Sequence, residues 1–367
     1  MFRSLMLAGC LTVSLLARPA LAWHEVGHFL TTLVAYKQLS PGDRPSEAIR
    51  KLVAILKRHP RFQEDFAGSM PADMNEDGEA RWLLCRASVW PDQIRGDRDN
   101  PPSYPPQPSK QGSYHRGIWH YIDTPLLIVA EGTSADQVKA LEEKARAAQD
   151  LASDAPAVEM DVKNGLQAIA FNREKLVHGR PEEQAVALCW LLHVFADLHQ
   201  PLHATAMFSV HALEPVSHPH GDAGGNAIHL GEHRNLHALW DAAPDANPES
   251  TYDPGESFDA RYNRAYARAS AQIDALLADK ELAVQGKLAA REQDPRQWAR
   301  ESHELASEKV YTAEIRRQIL AADRTAADSQ GGPIVKLPDG YRARAHEIGK
   351  LRVVQGGYRT AEFFQGQ

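Results

Sequence analysis

The stretch LLHVFADLHQPLH, Leu191 to His203, carries His193, Asp197 and His203, side chains able to hold a metal ion. His193 and Asp197 are four residues apart, so on a helix they share one face and can reach one cation. Pro201 has no N–H and is expected to end or kink that helix, turning His203 toward a different point. The neighbours Leu188, Trp190, Leu191, Leu192, Val194 and Phe195 are apolar. That predicts a buried site, where charge needs a partner such as a metal. The same spacing also suits core histidines with ordinary hydrogen-bond partners. NLHALWD repeats the geometry, with His237 and Asp241 again at i, i+4. Two such pairs in one chain weigh against coincidence.

Other groups could join them. Asp92 is followed three residues later by Arg95. A carboxylate with a guanidinium suits a metal-and-phosphate site, because arginine grips phosphate through two N–H groups; a surface ion pair uses the same residues. In WHYID, an extended strand would put His120 and Ile122 on one side and Tyr121 and Asp123 on the other. Gly224-Gly225-Asn226 would let backbone approach a ligand closely, with an amide to donate and accept. His28 lies on a helix predicted from Val26, Phe29, Leu30, Leu33 and Val34. His211, His218, His220, His229 and His233 read as solvated loop residues in a segment between Met207 and Asn235.

The elements that must position these groups are helical. Pro45 and Ser46 open a helix with Ile49, Leu52, Val53 and Leu56 on one face, after which an NEDG turn precedes a helix from Glu79 to Trp90, stopped by Pro91. Residues 97–118 form a loop rich in Pro, Ser and Gly. Helices are expected over 134–153, 160–177, 182–200, 256–325 and 340–365, with no internal repeat and no membrane span after the leader. The expectation is an all-α fold.

Residues 1–22 read as a secretory signal peptide: Arg3, an apolar run from Leu5 to Leu16, and Ala20-Leu21-Ala22 as the cleavage site. Leu7-Ala8-Gly9-Cys10 also resembles a lipoprotein box, but its apolar run is short. Cleavage exposes Trp23, whose free amine, with a pKa near ~8, and carbonyl could chelate a metal; an uncleaved chain could not offer that amine. The leader removes Arg3 and Arg18 from 41 basic side chains, leaving 39 against 48 acidic, net -9. That argues against a broad basic face for duplex DNA. Only Cys85 and Cys189 remain beyond Cys10, too few for a cysteine zinc site. Imidazole and carboxylate ligands without thiolate suit zinc. Three dications against Asp92, Asp197 and Asp241 would leave the cluster at about +3, a reason for a phosphate ester to bind an acidic chain.

Taken in order, the mature Trp, GH, WPD, WHYID, HxxxDxxxxxH, GGN and NLHALWD resemble the three-zinc, single-strand-specific nuclease family that includes mung bean nuclease, and its superfamily with zinc-dependent phospholipase C. The resemblance spans the chain from WHEVGH to GYRTAEFF. It implies residues 23–367 as one large helical domain of the phospholipase C/nuclease type, with long loops and a trinuclear zinc cleft. Asp92, His120, His193 and Asp197 would hold the first zinc. Trp23 and His28 would hold the second, bridged by Asp197, and His203, His237 and Asp241 the third. Arg95 and Asn226 would contact the reacting phosphate, Gly225 belonging to the same motif. Tyr121 would stack on a base and Asp123 would take its edge.

The implied reaction is hydrolysis of single-stranded DNA and RNA to 5′-phosphate ends, with 3′-nucleotidase activity. The enzyme would be a bacterial, exported monomer, periplasmic or extracellular, with no stable protein partner. Phospholipid is the rival substrate, although that branch typically has Glu where this chain has Asp241. A non-catalytic zinc-binding protein is the third reading. His24 stands where the family usually has glycine. Cys85 and Cys189 lie near predicted ligands and could form one bridge or stay as two buried thiols.

Overall fold

The structure, a computed structural model, describes residues 23–95, 101–148, 156–210, 221–231, 235–247, 256–322 and 332–366. The expected leader, residues 1–22 with Cys10, and four of the loop histidines, His211, His218, His220 and His233, lie outside the described residues. The fold is all-α. In chain order the helices are α1 Glu25–Leu39, α2 Glu47–Leu56, α3 Phe62–Asp65, α4 Glu76–Gln93, α5 Ala135–Ala148, α6 Gly165–His178 and α7 Pro181–Asp197. They continue with α8 Leu236–Asp241, α9 Phe258–Ala278, α10 Lys280–Ala289, α11 Pro295–Leu305, α12 Ala313–Ala322 and α13 Tyr341–Gln365. None among the described residues is long and apolar enough to cross a membrane.

Local chemistry sets most boundaries. Ser46 caps α2 by accepting from the Ile49 N–H at 3.2 Å, a contact worth about 1 kcal/mol. Ile49, Leu52 and Leu56 then face the core. The NEDG segment is a helix start rather than a turn. Asn75 Oδ1 accepts from the Gly78 N–H at 2.8 Å, and Glu76 and Asp77 favour the positive end of the helix dipole. Pro91 does not stop α4, which runs on to Gln93. A proline near a C-terminus forfeits one backbone bond with few residues left to displace, so Asp92 rides on the last helical turn. Helix α7 ends at Asp197, before Pro201, and Pro201 opens a 3₁₀ turn over Pro201–Ala204.

Two short strands were not expected. Strand β1, Pro125–Ile128, pairs in parallel with β2, Ala206–Ser209, Pro125 standing opposite Ala206 and Ile128 opposite Ser209. Met207 therefore belongs to a strand and not to the loop. His120 sits in a 3₁₀ turn over Gly117–His120, not in a strand. The expected alternation survives all the same: His120 and Ile122 are buried, while Tyr121 and Asp123 are half-exposed.

The core has two main clusters, and α7 lies at their seam. Ala196 belongs with the cluster of α1, α8, α9 and α13, while Leu191, Leu192, Val194 and Phe195 belong with that of α2, α4 and α6. Helix α1 packs on α13, α9 and α4, and α7 packs on α6, α4 and α2. The close approach of α13 to α1 needs glycine: a Cβ on Gly357 would fall 2.4 Å from Val34 Cβ. Cys85 and Cys189 are both buried and both free thiols, one in each cluster. The bridge offered as an alternative is absent.

Candidate metal centre

Ligand-type side chains from α1, α4, the 3₁₀ turn at His120, α7, the turn after it and α8 meet at the seam. Three groups each bring their donor atoms within 4.8 Å of one another: His28, His193 and Asp197; Asp92, His120 and His193; His203, His237 and Asp241. All of the predicted side-chain ligands are in this set. Asp197, fully buried, is the hub. Its Oδ2 lies 3.0 Å from His193 Nε2 and 3.2 Å from His120 Nδ1, and its Oδ1 lies 3.4 Å from His28 Nε2 and 3.7 Å from His203 Nδ1. Asp92 Oδ1 approaches His120 and His193 at 3.8 and 3.9 Å. Asp241 lies 3.7 Å from His203 and 3.4 Å from His237.

Backbone carbonyls orient the imidazoles. His193 Nδ1 donates to Ser88 O at 2.7 Å, His203 Nδ1 to His120 O at 2.8 Å, and His237 Nδ1 to Gly224 O at 2.7 Å. A ring whose Nδ1 carries the proton turns a bare Nε2 inward, the tautomer a metal needs. The His28 ring stacks on that of His193, centroids 4.2 Å apart.

The site is also where polar atoms are left over. Both ring nitrogens of His28, His120 Nε2, His203 Nε2, Asp197 Oδ1 and Asp241 Oδ2 are buried without a hydrogen-bond partner. Buried polar groups are ordinarily satisfied, so this concentration at one point, on ligand-type atoms, fits bound cations.

Electrostatics agree with that fit. Burial pushes His28 down to about 3 and lowers His120, keeping both neutral, as metal ligation requires. Burial alone would also lower His193 and raise Asp197 and Asp92. The mutual attraction of these rings and carboxylates outweighs it, so His193 is raised and both aspartates are lowered. Asp241 is different: burial dominates and raises it well above the usual carboxylate range, despite His237 and a 2.7 Å hydrogen bond from Gln200.

Residue 23 sits among these elements. Trp23 is fully buried, and its indole N–H donates to Ala196 O at 2.8 Å, next to Asp197. The His24 N–H donates to Asp241 O at 3.0 Å. Residue 23 is thus fixed between the two helices that end in aspartate.

Arg95 lies at the edge, 26% exposed, and donates to Asp92 Oδ1 at 3.2 Å. Tyr121 is raised to about 12 by burial and by Asp123, and its carbonyl accepts from the Gly165 N–H. Asn226 donates to Ala223 O at 2.8 Å and accepts from Asn235 at 3.2 Å, which in turn caps α8 through the Ala238 N–H. His229, read as a solvated loop residue, forms backbone bridges to Asn235 and Ile334.

Sequence reasoning missed what holds the turn between α7 and His203. His199 is fully buried there. Its Nδ1 donates to Phe195 O at 2.7 Å, its Nε2 accepts from Arg359 at 2.9 Å, and its carbonyl accepts from Arg352 at 3.1 Å. Glu301 pairs with both arginines, at 2.8 Å to Arg352 and 2.6 Å to Arg359. The available signal was two arginines seven residues apart, on one face of a helix that otherwise buries apolar side chains.

Comparison with known proteins agrees with this geometry. No curated protein matches the chain. Residues 23–366 match the family described as S1/P1 Nuclease. With that match over nearly all of its length, and with three groups of imidazole and carboxylate ligands at one seam, the chain belongs to the S1/P1 nuclease family of zinc-dependent hydrolases of nucleic-acid esters.

Proposed function

We propose that the chain is an exported three-zinc endonuclease that hydrolyses single-stranded DNA and RNA to 5′-phosphate products and also removes 3′-phosphates from nucleotides. The observation that carries the reading is the concentration of buried, hydrogen-bond-free ligand atoms at three adjoining groups. Asp92, His120, His193 and Asp197 would hold the first zinc. His28, with the amine and carbonyl of Trp23, would hold the second, sharing Asp197. His203, His237 and Asp241 would hold the third. Zinc bound there supplies a water of lowered pKa and positive charge for the phosphate oxygens.

The remaining roles belong to the chain. Arg95, which donates to Asp92, would contact the scissile phosphate. Asn226, with one amide N–H engaged by Ala223, has a second to donate to it. Tyr121 offers a stacking face and Asp123 an acceptor for a base edge, which requires a base free of its duplex partner. Residues 1–22 act as the signal peptide, consistent with a family match that begins at residue 23. Its removal frees the Trp23 amine, and the product is a periplasmic or extracellular monomer.

The test is digestion of denatured DNA, homopolymer RNA and duplex DNA by protein beginning at Trp23, with zinc and with chelator. Zinc-dependent loss of the single-stranded polymers, releasing 5′-phosphate ends while duplex survives, is expected. A zinc-loaded protein that leaves both single strands intact but releases diacylglycerol from lecithin would overturn the reading in favour of a phospholipase C.

A further inference from the structure

We infer that Asp222, held by Tyr311, is a positioning residue that sets the geometry of the His203, His237 and Asp241 group through the Gly224-Gly225-Asn226 turn. The inference rests on the three-metal reading above and goes beyond it in naming what fixes the third group. Helix α8 is only six residues long, too short to be stable on its own, so its ligands must be fixed from outside.

The turn that fixes them is conformationally costly. Ala223, Gly224 and Gly225 have φ of 52°, 63° and 83°. Glycine tolerates such values, but alanine there is strained. The turn also passes too close to Leu202 for a side chain, because a Cβ on Gly224 would come within 2.6 Å of Leu202 O. What it delivers is specific. Gly224 O receives His237 Nδ1, Gly225 O receives the backbone N–H groups of Ile228 and His237, and Ala223 O receives the Asn226 side chain. Shifting Ala223 out of the left-handed region would move the Gly224 carbonyl and release the His237 ring.

Asp222 opposes that shift. It is fully buried, and its Oδ1 accepts from the Met207 N–H of β2 at 2.9 Å. The Gly225 N–H also donates to its carboxylate. The Asp222 N–H returns to Met207 O at 2.8 Å, and its carbonyl takes the Ala227 N–H at 3.1 Å. Asp222 Oδ2 accepts from the Tyr311 hydroxyl. Tyr311 is itself fully buried, at the end of a π-helical turn over Ala306–Val310. One carboxylate thereby ties β2, the strained turn and a distant turn together at a single point. Among the described residues, no other buried carboxylate outside the ligand groups has this relation to a ligand's carbonyl partner.

The test reads zinc, not only activity. Zinc affinities of the intact protein beginning at Trp23 are measured by competition with a graded chelator, alongside thermal unfolding. Native protein is expected to bind three zinc ions; binding of only two overturns the three-metal reading itself. In Asp222→Ala the weakest-held zinc is expected to bind about 10- to 100-fold less tightly while the other two are unchanged. Asp222→Asn, whose amide can still accept from Met207 and donate to Tyr311, should restore most of that affinity.

The zinc lost in Asp222→Ala should be the one lost in His237→Ala, so the double variant loses no more. If Asp222→Ala does not fold, Tyr311→Phe, which removes one hydroxyl, is expected to show about a 10-fold loss at the same zinc. Variants that keep three zinc ions at native affinity and merely unfold at lower temperature would overturn the inference, leaving the three-metal reading intact.

Discussion

The two His/Asp pairs have the same spacing and opposite electrostatics. His193 and Asp197 end a helix of 17 residues; His237 and Asp241 end one of six. Asp197 faces four imidazoles within 3.7 Å and is held well below the usual carboxylate range. Asp241 faces two, at 3.7 and 3.4 Å, and burial pushes it well above that range. Spacing on a helix decides which side chains can meet. The number of counter-charges at the meeting point decides which of them is ionised there.

The contrast can be broken most severely at Asp197. Asp197→Asn removes the charge that several buried rings share. Breaking such a buried pair costs about 3 to 5 kcal/mol, and thermal unfolding of the zinc-stripped protein should show it at neutral pH. Because the folded value is depressed, the stabilisation is present above the ordinary carboxylate pKa and is lost as pH falls through the folded value, so the variant should approach the native protein only in strong acid.

Asp241→Asn should do the reverse. A raised folded value stabilises below the ordinary carboxylate pKa, and that stabilisation is lost as pH rises through the folded value. The zinc-stripped variant should therefore unfold at higher temperature than the native protein near neutral pH, and still lose one zinc when metal is returned. Equal destabilisation by the two variants would sink the comparison.

The smallest effect expected is away from the ligands. Burial, with a lesser push from Arg61, lowers His59 to about 3. Its ring packs edge-on to Trp90 of α4 at 4.5 Å, and its Nδ1 accepts from the Arg61 N–H at 3.2 Å. A depressed histidine stabilises above its ordinary value of about 6.5 and loses that as pH falls toward 3. His59→Gln, which can still accept from Arg61, should flatten the decline of melting temperature over that interval without changing zinc content. An unchanged slope would assign the acid sensitivity to the ligand cluster instead.

Much of the ligand set was legible because helical periodicity and i, i+4 spacing are local. The helix that carries His28 and the shared face of each His/Asp pair follow from side-chain repeats, while the reading of His28 as a ligand came from the family resemblance. Helix ends were less legible. Pro91 was read as a terminator, yet it is accommodated in the last turn of α4, a choice made by tertiary packing; Pro201 was expected to end or kink its helix, and α7 ends at Asp197 before it. Asp222 and Tyr311 are 89 residues apart, and His199 and Arg359 are 160 apart; neither pairing leaves a local pattern. The free thiols follow the same logic, since Cys85 and Cys189 lie on α4 and α7 but face different core clusters.

Stepwise return of zinc to the stripped chain beginning at Trp23, with cleavage of single-stranded DNA followed at each equivalent, tests the account at its centre. Cleavage should remain low until the third equivalent and then reach its plateau, in step with zinc bound per chain. Full cleavage at one equivalent, or intact polymer with three zinc ions bound, would contradict it.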